Sequence, residues 1–319
     1  MYQVAKPLFL YCETPLHAGT GSELGVVDLP IQRERHSGFP KIEGSSLKGA
    51  IRERFEDMIG SRDHADLYAV FGPEGDGTDN YAGAIGFTDA RLLLFPVKSM
   101  KGVFGWVTCP RVLKRLLQDL SAIGKDGVLG FTEKDLPETP QMGQALVTNT
   151  SALLLTPNRI VLEEYAFSIE KDDILTEFSN WLLNHVFEHD TWWQEKIAQS
   201  LVLINDEDFR DFVTLSTEVI TRTKIDNETG TVQDGALFTE EYLPESSVLY
   251  SLILASPVFP GKDQTKKKQL SHKKSFAESD ANAVQAYFED ILVNKAQNRL
   301  QLGANATLGK GLIRTTLIQ

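Results

Sequence analysis

The acidic residue in the most suitable sequence context for catalysis is Asp28, which lies between a glycine-rich stretch and Pro30. The stretch, His17-Ala-Gly-Thr-Gly-Ser-Glu-Leu-Gly25, has the glycine density of a loop. A carboxylate on a loop that a rigid sheet supports can act as a general base or bind a divalent cation. A residue in a surface turn would have the same context, so Asp28 keeps both interpretations when it is considered alone.

A second candidate site is the segment Gly44-Ser45-Ser46-Leu47-Lys48-Gly49, which begins an apolar series with helical spacing. We predict a helix here with Ser45 or Ser46 as its N-cap. The first N–H groups of a helix are unpaired and lie at the positive end of its dipole, and Lys48 and Arg52 are about one turn apart. The segment therefore predicts a phosphate-binding site, with a simply capped helix as the alternative.

The glycine-rich loop from Gly303 to Gly311 predicts another place where the backbone can approach a phosphate closely. Lys310 and Arg314 add positive charge, and no carboxylate lies near them in the sequence. The alternative is an ordinary hairpin turn between two strands.

Two shorter motifs match functional patterns that also have structural explanations. His185-Val-Phe-Glu188-His189 matches the H-x-x-E-H pattern of zinc peptidases, although His and Glu also occur together by chance in an acidic helix. The segment 101–107 resembles an RNA-binding motif in which Phe104 and Trp106 would stack on bases. Same-face aromatic residues of a strand can equally belong to the core.

These candidates depend on strands and helices that alternate along the chain. Apolar periodicity predicts strands at Val4–Cys12, Ala84–Asp89, Leu92–Val97, Val103–Thr108 and Val248–Ala255, and helices at Pro110–Ile123, 172–200, 206–213 and 279–298. Asp226-Asn-Glu-Thr-Gly230 is a hairpin signal between strands predicted at Val219–Lys224 and Ala236–Thr239. The order predicts an α+β fold of ferredoxin-like (RRM-like) type with large insertions, in one domain over residues 1–319.

The net charge of −12 argues at first against a nucleic-acid-binding protein. The charges are segregated, however, because residues 162–213 contain 13 acidic and 3 basic residues, whereas 91–115 contains 6 basic and no acidic residues. Residues 55–90 are also acidic, and 32–54, 261–275 and 296–319 are positive. This distribution is compatible with a nucleic-acid groove on a protein whose other surfaces are anionic.

Other classes are excluded by composition. Cys12 and Cys109 are too few for a disulfide scaffold or a four-thiolate zinc site. No signal-peptide pattern follows Met1, and no apolar run approaches the roughly 18–20 residues that span a bilayer. The sequence therefore predicts a cytoplasmic protein with no membrane partner.

Several sequence blocks together resemble a known family. The longest is residues 15–54, PLHAGTGSELGVVDLPIQRERHSGFPKIEGSSLKGAIRER, and others follow in order: FGPEGDG, GFTDARLLLFPVKSMKGVFGWVTCP, LEEY, INDEDF, TEVITRTKID, GALFTEEYLP and the glycine-rich close. The sequence is identified as a member of the RAMP superfamily, and it resembles the repeating backbone subunit of type III-B CRISPR (Cmr) effector complexes.

This resemblance implies a ferredoxin-like palm with a β-hairpin thumb at about 221–240 and an insertion at about 162–213. Copies of such a protein stack along a CRISPR guide RNA, and the thumb kinks the guide–target duplex at regular intervals. Target RNA is cleaved beside each kink in a reaction that depends on weakly held Mg²⁺ or Mn²⁺. The matching G-x-V-D-L-P motif makes Asp28 the cleaving carboxylate, and His17 and Glu241 occupy matching motifs as candidates for supporting catalytic roles. A single carboxylate cannot build a two-metal site, so we expect Asp28 to bind one hydrated metal ion or to act directly as the base.

The resemblance and the positive segments together predict the RNA contacts. The predicted contacts are Ser45, Ser46, Lys48, Arg52, Lys98, Lys101, Arg222, Lys224, Gly303, Gly309, Lys310 and Gly311. The implied partners are guide RNA, target RNA, sister copies in a helical stack and other subunits of the complex. The acidic segments 55–90 and 162–213 are expected away from the RNA or at contacts between copies. One departure from the family is the terminal loop, where a second glycine and a glutamate of the usual G-G-x-E-T-x-G-x-G pattern are replaced by Ala304 and Ala306.

Three alternatives stay open at this point. The chain could be a structural RNA-binding filament subunit without catalysis, a zinc hydrolase at His185 and His189, or a guide-processing ribonuclease. The last would need an active-site histidine that the sequence does not make evident. The lysine cluster at 262–274 has no assigned role.

Overall fold

The computed structural model describes residues 2–22, 25–73, 82–187, 191–233, 236–258 and 280–318. The strands are β1 (Val4–Cys12), β2 (Lys41–Ile42), β3 (Ile85–Phe87), β4 (Ala90–Lys98), β5 (Phe104–Thr108), β6 (Gln144–Val147), β7 (Arg159–Leu162), β8 (Tyr165–Lys171), β9 (Leu201–Ile204), β10 (Glu218–Arg222), β11 (Phe238–Tyr242), β12 (Val248–Ala255), β13 (Arg299–Gln301) and β14 (Leu312–Leu317). The α-helices are α1 (Gly44–Ile59), α2 (Ala65–Phe71), α3 (Pro110–Ala122), α4 (Asp173–His185), α5 (Thr191–Ser200), α6 (Asp206–Leu215) and α7 (Ala281–Glu289). The chain is a mixed α and β protein, as predicted.

Twelve of the strands form one sheet, in the order β13-β14-β1-β12-β4-β5-β9-β6-β8-β7, with β2 beside β4 and β3 beside β12. β1 is antiparallel to both of its neighbours, β12 and β14. The last six residues of β1 are all buried, which is typical of a central strand that is covered on both faces. The centre of the core therefore lies around β1.

Helices cover both faces of the sheet at this strand. Val4 packs against the cluster that contains Ala281 and Val284 of α7. Phe9 contacts Trp181 of α4, with the ring centroids 5.5 Å apart. Successive side chains of a strand point to opposite faces, so the even and odd positions of β1 pack under different helices.

The segment 162–213, which the sequence predicts as an insertion, contributes β8, α4, α5, β9 and most of α6. β9 is buried along its whole length and lies parallel to β5. Beyond β9 the same sheet continues through β6, β8 and β7. The acidic segment therefore extends one end of the central sheet.

β10 and β11 form a separate two-stranded antiparallel sheet. Beyond these strands Ile225 pairs with Val232, and Gly230 N–H closes the turn by donating to the Asp226 carbonyl at 2.9 Å. The Ile225 and Val232 side chains are 50% and 47% exposed. The hairpin predicted from the sequence is present, although β11 begins at Phe238, two residues later than expected.

The predicted N-cap of the first helix is wrong. α1 begins at Gly44 after Glu43, so Ser45 and Ser46 lie inside its first turn. The Gly44 N–H donates instead to the Asp89 carboxylate at 2.9 Å. A carboxylate from a distant part of the chain thus satisfies the helix terminus, which local sequence cannot indicate.

Two predicted helices are longer than the observed ones. The region 172–200 contains α4 and α5 as separate helices, and α7 passes into a π-helical turn at Asp290–Lys295. Apolar periodicity shows which side chains face the core but does not locate a change in backbone hydrogen bonding. In the described ranges, no helix combines the length and apolarity needed to cross a membrane.

Candidate active site

Asp28 is exposed on its loop and is bound by one residue of β11. The Thr239 N–H and the Thr239 hydroxyl both donate to Asp28 Oδ2, each at 2.8 Å. The Asp28 N–H in turn donates to Thr239 Oγ1 at 2.9 Å. These residues are 211 positions apart in the chain. The carboxylate is therefore anchored to the base of the β10–β11 hairpin.

The backbone that follows Asp28 is also hydrogen-bonded to β11. The Leu29 N–H donates to the Thr239 carbonyl at 3.0 Å, and the Glu241 N–H donates to the Leu29 carbonyl at 3.0 Å. On the other side of the same segment, the Thr20 N–H donates to the Pro30 carbonyl at 3.1 Å. The loop is thereby held between the glycine-rich stretch and β11.

The bonds from Thr239 also favour the ionised form of the carboxylate. The Thr239 amide, and then its hydroxyl, hold the pKa of Asp28 below its ordinary value. Hydrogen bonds to the ionised form of a carboxylate favour that form. Asp28 is therefore an anion at neutral pH, which suits a cation ligand better than a proton acceptor.

His17 lies beneath the loop in a buried position. Its Nδ1 is 2.6 Å from the Glu241 carbonyl, and since a carbonyl can only accept, Nδ1 carries a proton. A Cβ atom at Gly19 would lie 2.6 Å from His17 Nε2. His17 thus packs between Glu241 and the glycine-rich stretch and supports the loop from inside the protein. Direct catalysis by His17 stays a prediction.

Glu241 is also buried, and both of its carboxylate oxygens are engaged. Oε2 accepts from the Ile31 N–H at 3.0 Å, while Oε1 accepts from the Arg33 guanidinium and from the Thr217 hydroxyl. Arg33 further donates to the Val213 carbonyl at 2.9 Å. These contacts support a positioning role for Glu241, which joins the Asp28 loop, β11 and the end of α6.

A network next to these residues was not predicted from the sequence. The Tyr242 hydroxyl donates to Glu240 Oε2 at 2.6 Å and accepts from Arg222 and Asn305 at 2.9 and 2.7 Å. The Arg222 Nε donates to Glu240 Oε2 at 2.9 Å. Burial alone would raise the pKa of Glu240, but the bonds from Tyr242, Arg222 and Asn305 lower it overall. The hairpin base and the C-terminal loop are joined by this network. Arg222, a predicted RNA contact, is bonded here to Glu240 and Tyr242, and its contact with RNA stays a prediction.

The C-terminal glycines fit against the opening strand and its loop. A Cβ atom at Gly303 would lie 2.4 Å from the His17 carbonyl, and one at Gly311 would lie 1.9 Å from the Leu302 carbonyl. The Gly311 N–H donates to the Pro15 carbonyl at 2.9 Å. Gly303 and Gly311 therefore permit a close approach to protein backbone, and any RNA contact would be additional. At Gly309 the corresponding space is open.

At the beginning of α1, the two basic residues of the predicted phosphate site bind protein groups. Lys48 Nζ donates to the Ile85 carbonyl at 3.2 Å, and burial followed by the nearby Arg52 lowers the Lys48 pKa. Arg52 donates to Glu56 and to the Gly72 carbonyl, each at 2.9 Å. Both basic side chains are thus committed to protein contacts. Ser45 and Ser46 are exposed, and their contact with RNA stays a prediction.

Two of the predicted RNA-binding elements meet in one open groove of 560 Å³. Ser46 of α1 and Gly303 of the C-terminal loop both line it, as do Arg54 and Arg299. The positive segments 32–54 and 296–319 are therefore neighbours in space. The sequence identified the two segments but not Arg54 and Arg299, because nothing in the sequence shows that α1 and β13 are adjacent.

The remaining predicted RNA contacts lie elsewhere. Lys98 ends β4 and is exposed, and Lys101 Nζ donates to the Leu154 carbonyl at 2.8 Å, at the end of the sheet where the acidic segment lies. Lys224 is exposed beyond β10 on the hairpin. The lysine cluster at 262–274 lies outside the described residues.

The aromatic RNA-binding motif is contradicted for one of its two residues. Trp106 is fully buried, and its indole N–H donates to the Ser246 carbonyl at 2.7 Å. Phe104 packs edge-on against Trp106 and carries Lys196 Nζ 4.5 Å above its ring. A side chain without exposed surface cannot stack on a base, so Trp106 belongs to the core.

The zinc motif receives no support. His185 Nδ1 is 2.8 Å from the Trp181 carbonyl, and its ring stacks on Trp181. Glu188 and His189 lie outside the described residues. Within the described ranges, no three His, Cys, Asp or Glu side chains are grouped as metal ligands.

A sequence model of the RAMP superfamily matches residues 9–314. The chain belongs to the RAMP superfamily. The match includes the Asp28 loop, the β10–β11 hairpin and the C-terminal glycine-rich loop. The residues around Asp28 in this RAMP protein are therefore part of the family's own domain.

Two relatives of this RAMP protein match it along nearly their whole length. The CRISPR system Cmr endoribonuclease Cmr4 of Pyrococcus furiosus is 38% identical over 309 residues, which are 97% of this chain and 94% of the relative. The CRISPR system CMR subunit Cmr4 of Saccharolobus solfataricus is 27% identical over 332 residues, which are 98% of this chain and 96% of the relative.

Solved structures agree with this RAMP fold. Oligomeric Cmr4 from Pyrococcus furiosus has a TM-score of 0.67 and 31% identity, with 98% of each chain covered. A chain of the type III-B Cmr-beta complex bound to cognate target RNA has a TM-score of 0.70 and 21% identity, with 99% of this chain and 98% of the other covered. The second likeness concerns the fold alone.

Proposed function

We propose that this RAMP protein is a backbone subunit of a type III-B CRISPR effector complex that binds guide RNA and cleaves guide-paired target RNA. The observation that carries the proposal is the exposed, ionised Asp28 carboxylate, which Thr239 attaches to the base of a hairpin. The relative that is 38% identical over 97% of the chain is named an endoribonuclease.

The strand order supports a ferredoxin-like palm. The four strands β14, β1, β12 and β4 are adjacent in that order, and each is antiparallel to its neighbours. α1 lies between β1 and β4 in the chain, and α7 lies between β12 and β14. This is the βαββαβ pattern of the ferredoxin-like motif. The β10–β11 hairpin leaves the palm next to Asp28 and would be the thumb, and its half-exposed Ile225 and Val232 suit contact with unstacked bases.

The donor set around Asp28 fits a weakly held divalent cation. One carboxylate with Oδ2 engaged by Thr239 offers chiefly Oδ1, so water and RNA phosphate oxygens would complete the coordination. Mg²⁺ tolerates this arrangement because it retains several waters and often binds through one or two carboxylates and substrate phosphates. When bound, the cation would supply positive charge beside the phosphate that is attacked. Mn²⁺ would serve in the same way.

Cleavage through the 2′-OH requires the attacking oxygen, the phosphorus and the leaving 5′-oxygen to lie in line. Stacking in an A-form duplex prevents this geometry, and a hairpin that displaces one nucleotide would permit it. The attack forms the P–O2′ bond and breaks the P–O5′ bond, while solvent water takes the 2′-OH proton and gives one to the leaving 5′-oxygen. The products are a 2′,3′-cyclic phosphate and a 5′-hydroxyl. Asp28 contributes fixed negative charge at the hairpin base, and His17 and Glu241 hold the loop that presents it.

The guide RNA is assigned to the groove between α1 and the C-terminal loop. Ser46 offers a hydroxyl at the beginning of a helix, and Arg54 supplies positive charge for a phosphate. Arg299 would add to this charge by exchanging its present partner Glu13 for a phosphate, and Glu53 and Asp57 lie on the same lining. Sequence specificity would come from base pairing, with the protein binding the backbone of the RNA. Sister copies and other subunits would continue the groove along the guide.

The direct test is cleavage of an end-labelled target RNA by the complex assembled on its guide. We expect fragments at regular intervals that carry 2′,3′-cyclic phosphate ends and that disappear when the divalent cation is chelated. Target binding without cleavage in the presence of Mg²⁺ or Mn²⁺ would favour the alternative, a structural filament subunit.

Lys310 provides a test of the RNA path. Its Nζ lies 5.1 Å from the centre of the Tyr242 ring, at the junction of the hairpin and the C-terminal loop. If Lys310 binds a phosphate, Lys310→Gln should reduce the slope of log affinity against log salt concentration by about one. Lys134→Gln, which changes an exposed lysine near the end of α3, should leave the slope unchanged. Equal slopes for all three proteins would remove Lys310 from the RNA path.

A further inference from the structure

Thr239 is the residue through which the hairpin holds the Asp28 side chain. Its amide and its hydroxyl donate to the same carboxylate oxygen, each at 2.8 Å. Its carbonyl accepts from the Leu29 N–H at 3.0 Å. One residue of β11 thus makes contacts with both the side chain and the following backbone of the proposed cleaving residue.

The residues that come just before Asp28 contribute little to the position of its carboxylate. Val26, two residues before Asp28, is 100% exposed, and Gly25 precedes it in the chain. The hydrogen bonds that hold the other side of the segment begin only at Pro30. A side chain on such an exposed connection would sample many orientations unless a partner fixed one of them.

We propose that Thr239 is a positioning residue for RNA cleavage, which fixes the orientation of the Asp28 carboxylate relative to the hairpin. The proposal rests on the proposed function. A hairpin that displaces a nucleotide then carries the carboxylate to the adjacent phosphate in a fixed relation. The position of the cut relative to the hairpin follows from this hydrogen-bonded pair.

The hydroxyl of Thr239 can be removed with little change of shape. Thr239→Val keeps the β-branched side chain and the backbone N–H bond but lacks both the O–H donor and the oxygen that accepts from the Asp28 N–H. Thr239→Ser keeps the hydroxyl and lacks only the methyl group. For Val we expect the single-turnover cleavage rate to fall roughly 10- to 100-fold, because small displacements of a reacting group are costly. Target affinity should be unchanged, and the serine variant should be within about threefold of the original rate.

The chain contains a control pair outside the hairpin. The Thr132 N–H and hydroxyl donate to Asp135 Oδ2 at 2.9 and 2.7 Å, as those of Thr239 donate to Asp28 Oδ2, whereas the Asp135 N–H donates to the Thr132 carbonyl and not to its hydroxyl. Thr132→Val therefore removes the same kind of bond from an exposed turn after α3. Its cleavage rate and cut positions should equal those of the unchanged protein.

The outcomes separate this proposal from the proposed function. A loss of rate in Thr239→Val with rescue in Thr239→Ser, equal target affinity and an equal unfolding midpoint supports positioning. If Thr239→Val cleaves at the original rate while Asp28→Ala does not, the positioning role is wrong and the function stands. If the unchanged complex does not cleave at all, the proposed function fails first. A fall in rate that only accompanies weaker target binding also overturns the positioning role.

Discussion

Asp28→Ala is expected to reduce target cleavage by about 10²- to 10⁴-fold while guide binding and assembly persist. The side chain is exposed, and the bonds that position it come from Thr239, so its removal leaves no buried group without a partner. The missing charge can no longer bind a cation beside the phosphate. Asp28→Asn should be similarly defective, because it keeps the shape but not the charge. The measurement is the single-turnover rate with target in a preassembled complex.

Asp135 again offers the matched control. It accepts the same pair of bonds from Thr132 and is likewise exposed, and the Thr132 hydroxyl, and then its amide, lower its pKa. Asp135→Ala should therefore cleave at the original rate. Undiminished cleavage by Asp28→Ala would refute the catalytic assignment and favour a filament subunit whose partner does the cutting.

Gly311→Ala should be the most destabilising of the glycine substitutions in the C-terminal loop. Gly311 has a φ of +74°, and a Cβ atom there would lie 1.9 Å from the Leu302 carbonyl. Since the Gly311 N–H also donates to Pro15, the backbone cannot shift without loss of that bond. We expect the free energy of unfolding to fall by about 3 kcal/mol or more, from backbone strain and overpacking together. Urea denaturation of the purified protein measures the change.

Gly309 has nearly the same backbone conformation without the steric conflict. Its φ is +71°, and among the described residues no atom lies within 4 Å of the Cβ position. Gly309→Ala should therefore cost only about 1–2 kcal/mol, the usual penalty of a left-handed conformation. If the two variants were equally stable, the close approach at Gly311 would not be a constraint on the fold.

The parts of the fold that local sequence determines were predictable. The apolar residues of Val4–Cys12 form a pattern that is typical of a strand, and the predicted and observed strands have the same bounds. The Ser45 cap failed because Asp89 reaches the helix terminus from another part of the chain. Trp106 was ambiguous because periodicity places it on a face of a strand without showing what covers that face.

In the candidate site, too, some residues could be predicted from local sequence and others required the folded structure. Asp28 was found through its motif, which is a property of consecutive residues. Thr239 was missed because its relation to Asp28 exists only in the folded chain, across 211 positions. Glu241 was identified as important, but its burial and its bonds with Ile31 and Arg33, which indicate support for the loop, required the structure.

The placement of β1 has a consequence for the order of events during synthesis. β1 leaves the ribosome long before its two neighbours in the sheet, β12 and β14. The Asp28 loop, the hairpin base and Asn305 likewise come together only when the late segments have emerged. Pairings between strands so far apart in the chain form slowly, and β1 stays without its two neighbouring strands until they have been made. A nascent chain therefore cannot assemble the proposed cleavage site before the residues through Asn305 have been translated.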